Sequence, residues 1–289
     1  MITLKHILNN KVMAAFFCCI MLQVPCSTMA QDKQLLILHT NDTHSCVMPM
    51  KETLADTAVA GRGGYLRRVV LVKQERLKNP DLLLFDSGDF SQGSSYYTLY
   101  KGDVEVDLMN QMGYDAATIG NHEFDFGLEN MARLFRRANF PIVCANYDFT
   151  GTPVEGIVKP YVIIRRNGVR IGVFGLSPAL KGLIADKNCE GVKFLDPVET
   201  AKSVVAELKR KKCDLIICLS HLGWLEGDIS DQNFMAQTRD IDLVLGGHSH
   251  TYFDTLQYVK NLDNKEIAND QNGKSAIWVG HLTLDLKKK

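Results

Sequence analysis

Residues 114–125 read Tyr114-Asp115-Ala116-Ala117-Thr118-Ile119-Gly120-Asn121-His122-Glu123-Phe124-Asp125. A short uncharged run, Ala116–Ile119, stops at a glycine and opens at once into an amide, an imidazole and two carboxylates. A brief apolar run bounded by glycine reads as a strand buried on both faces. Polar residues beyond such a strand stand where open α/β sheets bind ligands, at the carboxyl ends of the strands. The same pattern occurs four more times. Leu35–Leu38 leads to His39-Thr40-Asn41-Asp42-Thr43-His44, and Leu82–Phe85 leads to Asp86-Ser87-Gly88-Asp89. Leu215–Leu219 leads to Ser220-His221, and Leu243–Leu245 leads to Gly246-Gly247-His248-Ser249-His250.

Between these runs, Gly64–Leu77, Val104–Met112, Leu128–Ala138 and Pro197–Lys211 carry helical spacing. Asp196-Pro197 places a capping residue ahead of a proline at the first helical position. Tyr161–Arg166 and Val169–Leu176 flank Asn167-Gly168, a two-residue hairpin turn. Pro141–Ala145 and Ile241–Leu245 read as further buried strands. Polar Asn261–Gly273 reads as a surface loop before a final strand pair, Ala276–Val279 and Leu282–Leu286. Repeated β-α-β order predicts a layered α/β domain.

Composition narrows the function. The chain has 289 residues, 46% hydrophobic and 23% charged, with 33 Lys+Arg against 33 Asp+Glu. That apolar content excludes a disordered chain, and zero net charge excludes nucleic-acid binding by bulk charge. Lys5 and Lys11 precede the uncharged run Val12–Val24, which is 13 residues long and too short to span a bilayer. Thr28-Met29-Ala30 then offers a small-residue cleavage site, so residues 1–30 read as a secretory signal and 31–289 as the mature domain. The protein is therefore expected to be exported, periplasmic or secreted, without a stable membrane anchor; lipid attachment at Cys26 ranks second. Cys46, Cys144, Cys189, Cys213 and Cys218 remain, an odd number without a C-x-x-C pair, and disulfides are not expected.

Alternate residues of an extended chain face one side, so Asp42-x-His44 and His248-x-His250 can each aim two donors at one point. His44, His122, His221, His248 and His250 all lie at strand ends, beside Asp42, Asp89 and Asn121. Nitrogen and oxygen donors without thiolate suit Zn²⁺, Mn²⁺ or Fe²⁺. His39 and His281 read as packing or surface histidines.

These blocks, in this order, resemble the calcineurin-like metallophosphoesterases, and in particular the catalytic domain of bacterial 5'-nucleotidases. The resemblance covers about Leu35 to Tyr252 and rests on LLILHTNDTHSCV, SGDFSQGS, GNHEFD and GGHSH. It implies a four-layer αββα sandwich around two divalent metal ions. Asp42, His44 and His250 would hold one ion and Asn121, His221 and His248 the other, with Asp89 bridging. It further implies attack by a metal-bridging hydroxide on a nucleotide phosphate. Asn121 and His122 would bind that phosphate, Asp125 would keep His122 oriented and cationic, and Glu123 would support the ligands from behind. A phosphodiesterase or pyrophosphatase acting on 2',3'-cyclic nucleotides or UDP-sugars would share the same centre. The family's long members carry a second domain that grips the base. Here the expectation is one catalytic domain without it, leaving a separate nucleotide-binding partner open. Arg62, beside Gly61 and Gly63, is the nearest arginine that could meet phosphate, and it reads equally well as a surface residue.

Overall fold

A strand that is apolar at every position must be covered on both faces. Two sheets stacked face to face between outer helices provide that cover. The computed structural model describes residues 33–225, 227 and 229–286, so the leader reading of residues 1–30 lies outside the described residues. In chain order the elements are β1 (Lys33–Thr40), α1 (Tyr65–Lys78), β2 (Leu83–Asp86), α2 (Ser95–Tyr100), α3 (Asp103–Met112) and β3 (Ala116–Ala117). A 3₁₀ turn at His122–Phe124 precedes α4 (Gly127–Arg137), β4 (Tyr147–Asp148), β5 (Tyr161–Arg166), β6 (Val169–Leu176) and β7 (Lys193–Phe194). Then come α5 (Pro197–Arg210), β8 (Leu215–Ser220), α6 (Asp231–Ala236), β9 (Leu243–Leu245), β10 (Gln257–Lys260), β11 (Glu266–Asp270) and β12 (Gly280–Leu286).

One sheet has the order β12-β1-β2-β3 and the other β10-β11-β9-β8-β6-β5, while β4 and β7 form a small ribbon. β1, β2 and β3 run parallel, as do β6, β8, β9 and β11; β12, β5 and β10 pair antiparallel at the edges. Side-chain alternation sets the layers. Leu35 and Ile37 of β1 pack with Ile217 and Leu219 of β8 in a core between the sheets. Leu38 faces outward onto Val69 and Val72 of α1, Met109 of α3 and Met131 of α4. Ile216 and Cys218 face the other way, onto Val205 and Leu208 of α5 and Phe234 of α6. The result is the four-layer αββα sandwich, and its parallel strands deliver their carboxyl ends to one side.

Local signals behaved as their chemistry requires. Asn167 (φ 51°) and Gly168 (φ 72°) make the left-handed pair of the β5–β6 hairpin. Asp196 caps α5 by accepting from the Glu199 amide at 2.9 Å, with Pro197 in the first turn. All five described cysteines are free thiols, with Cys144 and Cys218 buried.

Three expectations need correction. Pro141–Ala145 is not a strand: Val143 donates to Ala117 of one sheet and Ala145 to Gly175 of the other, so the segment spans the gap and sustains no ladder. Asn261–Gly273 is not merely a loop, because it contains β11, paired to β9 inside the larger sheet. Its polar side chains bond inside the fold, with Asn269 Nδ2 donating to Asp231 Oδ2 at 3.1 Å and Gln271 Nε2 to the Gly247 carbonyl at 3.0 Å. Ala276–Val279 is not a strand either. Ser275 and Ala276 are left-handed (φ 60° and 57°), and β12 alone closes the smaller sheet. The helices α2 and α6, six residues each and capped by Ser94 and Ser230, carried too little periodicity to read.

Gly175 sits where the two sheets touch: a Cβ there would lie 2.1 Å from the Val143 carbonyl oxygen and 2.3 Å from Thr118 Oγ1. Gly175→Ala is therefore expected to destabilise the fold by about 1–3 kcal/mol, read as a lower urea midpoint. An unchanged midpoint would contradict this packing.

Candidate metal centre

The loops beyond β1, β2 and β3 interlock through their backbones. The Asp42 amide donates to the Gly88 carbonyl at 2.9 Å and the His44 amide to the Asp89 carbonyl at 2.9 Å. A Cβ on Gly120 would meet Asp89 Oδ1 at 2.1 Å, so only glycine permits that approach. Asp42 (φ 46°), His44 (46°), Asp89 (56°), His248 (72°) and His250 (55°) are all left-handed. Such conformations cost about 1–3 kcal/mol each for residues with a Cβ and gather at functional sites.

The side chains these loops carry converge. Asp42, His44 and His250 form one group whose donor atoms lie within 4.8 Å of one another, and Asp89, His221 and His248 form another. His44 Nε2 and His250 Nε2 stand 2.8 Å apart, and Asp42 Oδ1 is 3.5 Å from the latter. His221 Nδ1 donates to the Ser87 carbonyl at 2.6 Å, which directs Nε2 at Asp89 Oδ2, 3.1 Å away. That is a usual way for a protein to orient an imidazole ligand. Asn121 is 6% exposed, and its Oδ1 has no hydrogen-bond partner, while His221 Nε2 has Asp89 as its one charged contact at 3.1 Å. Buried polar atoms rarely stay unsatisfied.

His122 belongs beside this cluster. It shares a group with His44 and Asp89 and stands edge-on to the His44 ring, with 5.3 Å between centroids. One of its nitrogens is already engaged, since Nδ1 lies 3.0 Å from Asp125 Oδ2. The expected aspartates and histidines of the site are thus brought into one region, with Asn121 next to His122 in the chain. Arg62 instead places its guanidinium 5.6 Å from the Trp278 ring centroid. His39 is buried against Asp270 at 2.8 Å, and His281 is half-exposed near Glu75, as packing and surface residues should be.

Burial governs the electrostatics. It pushes the His44 and His248 imidazoles down to about 4 and, aided by the charge of Asp89, pushes the Asp42 carboxyl up to about 7. Around Asp89 and His221 burial opposes both charges, but their mutual attraction outweighs it. His221 rises to about 10 and Asp89 is held well below the usual carboxylate range. Neutral His44 and His248 imidazoles around buried carboxylates, with the orphaned Asn121 Oδ1, form a set that a divalent cation would complete by displacing the His221 proton.

Sequence reading understated two residues. Glu123 is 1% exposed and accepts from the amides of Asp89 (3.0 Å), Ser91 (3.1 Å) and Gly120 (2.7 Å), clamping two ligand loops together. Asn41 donates to Asp42 Oδ2 at 2.6 Å and to the Gly273 carbonyl at 2.8 Å. Their place within the strand-end motifs was the available signal; their partners are backbone atoms that only the folded loops supply.

A family model for calcineurin-like phosphoesterases matches residues 35–252. The chain belongs to that family. Among similar proteins of this phosphoesterase family, a 5'-nucleotidase of Bos taurus is 34% identical over 244 residues, covering 82% of this chain and 41% of the bovine one. The structure of a 5'-nucleotidase precursor from Thermus thermophilus superposes with a TM-score of 0.76 at 32% identity, over 87% of this chain and 51% of that one. A Haemophilus influenzae NAD nucleotidase does so with a TM-score of 0.76 at 27% identity, over 87% and 47%. The chain thus spans about half or less of the length of these relatives.

Replacing Glu123 by Gln keeps its shape but weakens the clamp. Metal affinity in a chelator competition titration is expected to fall by about 10–100-fold, as for other supporting residues around metal ligands. Wild-type affinity would contradict the clamp's role.

Proposed function

We propose that this chain is a metal-dependent phosphoester hydrolase that releases phosphate from nucleoside monophosphates outside the cytoplasm. The observation that carries the proposal is the convergence of nitrogen and oxygen donors from Asp42, His44, Asp89, His221, His248 and His250, with Asn121 beside His122 and its Oδ1 buried without a partner. Asp42, His44 and His250 would hold one divalent ion, and Asn121, His221 and His248 a second, with Asp89 between them. Zn²⁺, Mn²⁺ and Fe²⁺ all suit these donors. When bound, such ions supply Lewis acidity, neutralising phosphoryl charge and acidifying water enough to attack near neutral pH.

The chain's own groups do the rest. Asp125 holds His122 Nδ1, which leaves Nε2 as the free donor. Burial works against a charged His122, but the Asp125 hydrogen bond and the nearby Asp89 raise its pKa overall. An imidazolium at that edge can stabilise the phosphoryl oxygens and protonate the departing alkoxide. Nucleoside monophosphates are preferred as substrates because the similar proteins include 5'-nucleotidases. Export is inferred from the basic flank, short apolar core and cleavage site of residues 1–30. No helix among the described residues is long and apolar enough to cross a membrane. Co-purification from the native host tests whether a partner polypeptide contributes contacts to the base.

Asp89→Asn and His221→Ala are expected to abolish phosphate release from AMP, and His122→Ala to slow it by about 10²–10⁴-fold without unfolding. Full activity in His221→Ala would overturn the assignment. A panel of AMP, a UDP-sugar and 2',3'-cyclic AMP checks the substrate class: faster cleavage of either of the last two would replace the monoesterase reading.

The acid role of His122 also has a pH signature. Activity that requires imidazolium falls as pH rises through the His122 pKa, which Asp125 raises. Asp125→Asn removes that support, so the falling alkaline limb of kcat is expected to move to lower pH. An unmoved limb would remove His122 from the proton transfer.

A further inference from the structure

Tyr252 stacks on Trp278 with 4.7 Å between centroids and 24° between planes, and Arg62 also lies over the indole. Neither the core nor the metal cluster uses this stack, and Tyr252 is 45% exposed. It is nevertheless held firmly. Tyr252 bridges to Asn272, whose amide donates to Asn41 Oδ1 at 2.9 Å, and the Gly273 amide donates to the Thr251 carbonyl at 2.8 Å. The ring is thus tied through backbone to the loop that carries Asp42. A fixed, solvent-facing aromatic loses little conformational entropy when a ligand settles on it.

The stack borders a pocket of about 610 Å³ between edge strand β12 of one sheet and the β10–β11 edge of the other. That size falls within the ~300–1,000 Å³ of small-molecule sites. Its walls include Tyr252, Tyr258 and Trp278, the carboxylates of Asp254 and Asp270, and His281, with no lysine or arginine. Asp270 is fixed in place by His39 at 2.8 Å. Such walls repel phosphate. They suit a flat heteroaromatic ring that stacks on one face and offers N–H donors at its edge. Tyr252 follows His250 by two residues, so their Cα atoms lie within ~7 Å. A ligand with its anionic group at the cluster can therefore lay a ring against Tyr252.

The geometry points to a base subsite on this chain itself, in which Tyr252 stacks an amino-bearing nucleobase and Asp254 and Asp270 accept its N–H groups. It rests on the hydrolase reading for the substrate's phosphate, but the ring subsite can be tested without catalysis.

Adenosine, which carries no phosphate, is titrated into the full chain while tryptophan fluorescence is followed; of the two tryptophans, Trp224 is buried and Trp278 lines the pocket. A saturable change is expected, retained in Tyr252→Phe and weakened about tenfold in Tyr252→Ala. No saturable change, or equal binding by both variants, overturns the subsite. In turnover, the ratio of kcat/KM for AMP to that for ribose 5-phosphate is expected to fall about tenfold in Tyr252→Ala; an unchanged ratio overturns it too. If neither ester releases phosphate, the hydrolase reading fails and the adenosine titration still decides the subsite.

Discussion

Asp89 is the group on which the site depends. Its carbonyl receives the His44 amide, its own amide donates to Glu123, its Oδ1 receives the His122 amide, and its Oδ2 faces His221. One left-handed residue thereby fixes the first, second, third and fourth strand-end loops relative to one another. Burial makes its charge expensive, yet the carboxyl is held below the usual range, because His221, with His122 and His44, favours the anion more than burial opposes it. A buried carboxylate kept charged in this way is a strong attractor for a cation.

The fold exists to present that arrangement. Two sheets, each covered on both faces, give a rigid frame whose parallel strands end on one side. The rigidity supports five non-glycine residues in left-handed backbone, a strain that isolated loops would relax. Glu123 and Asn41 then convert loop ends into a shaped site, since each binds backbone of a loop other than its own. The edges of the sheets provide the second surface, where Tyr252 and Trp278 stand beside the cluster without belonging to it.

Much of this was legible in the sequence because it depended on side-chain type at strand ends. GNHEFD and GGHSH each put imidazoles just past an apolar run, and the structure brings every one of those histidines to the same region. What escaped reading depended on tertiary partners. β11 looked like a loop because Asn269 and Asp270, with Gln271 just beyond it, are polar, yet in the fold they bond to Asp231, His39 and Gly247. Pro141–Ala145 looked like a strand because it is apolar, but it passes between two sheets. Glu123 carried no signal of its strength, because its three partners are amides that meet only after the loops fold.

The most direct test of the account is isothermal titration of Mn²⁺ or Zn²⁺ into chelator-stripped protein at neutral pH. Two tight equivalents per chain are predicted, with the stoichiometry falling in Asp89→Asn because that carboxylate would serve both ions. A wild-type stoichiometry below two, or two full equivalents in Asp89→Asn, would contradict a centre built around Asp89.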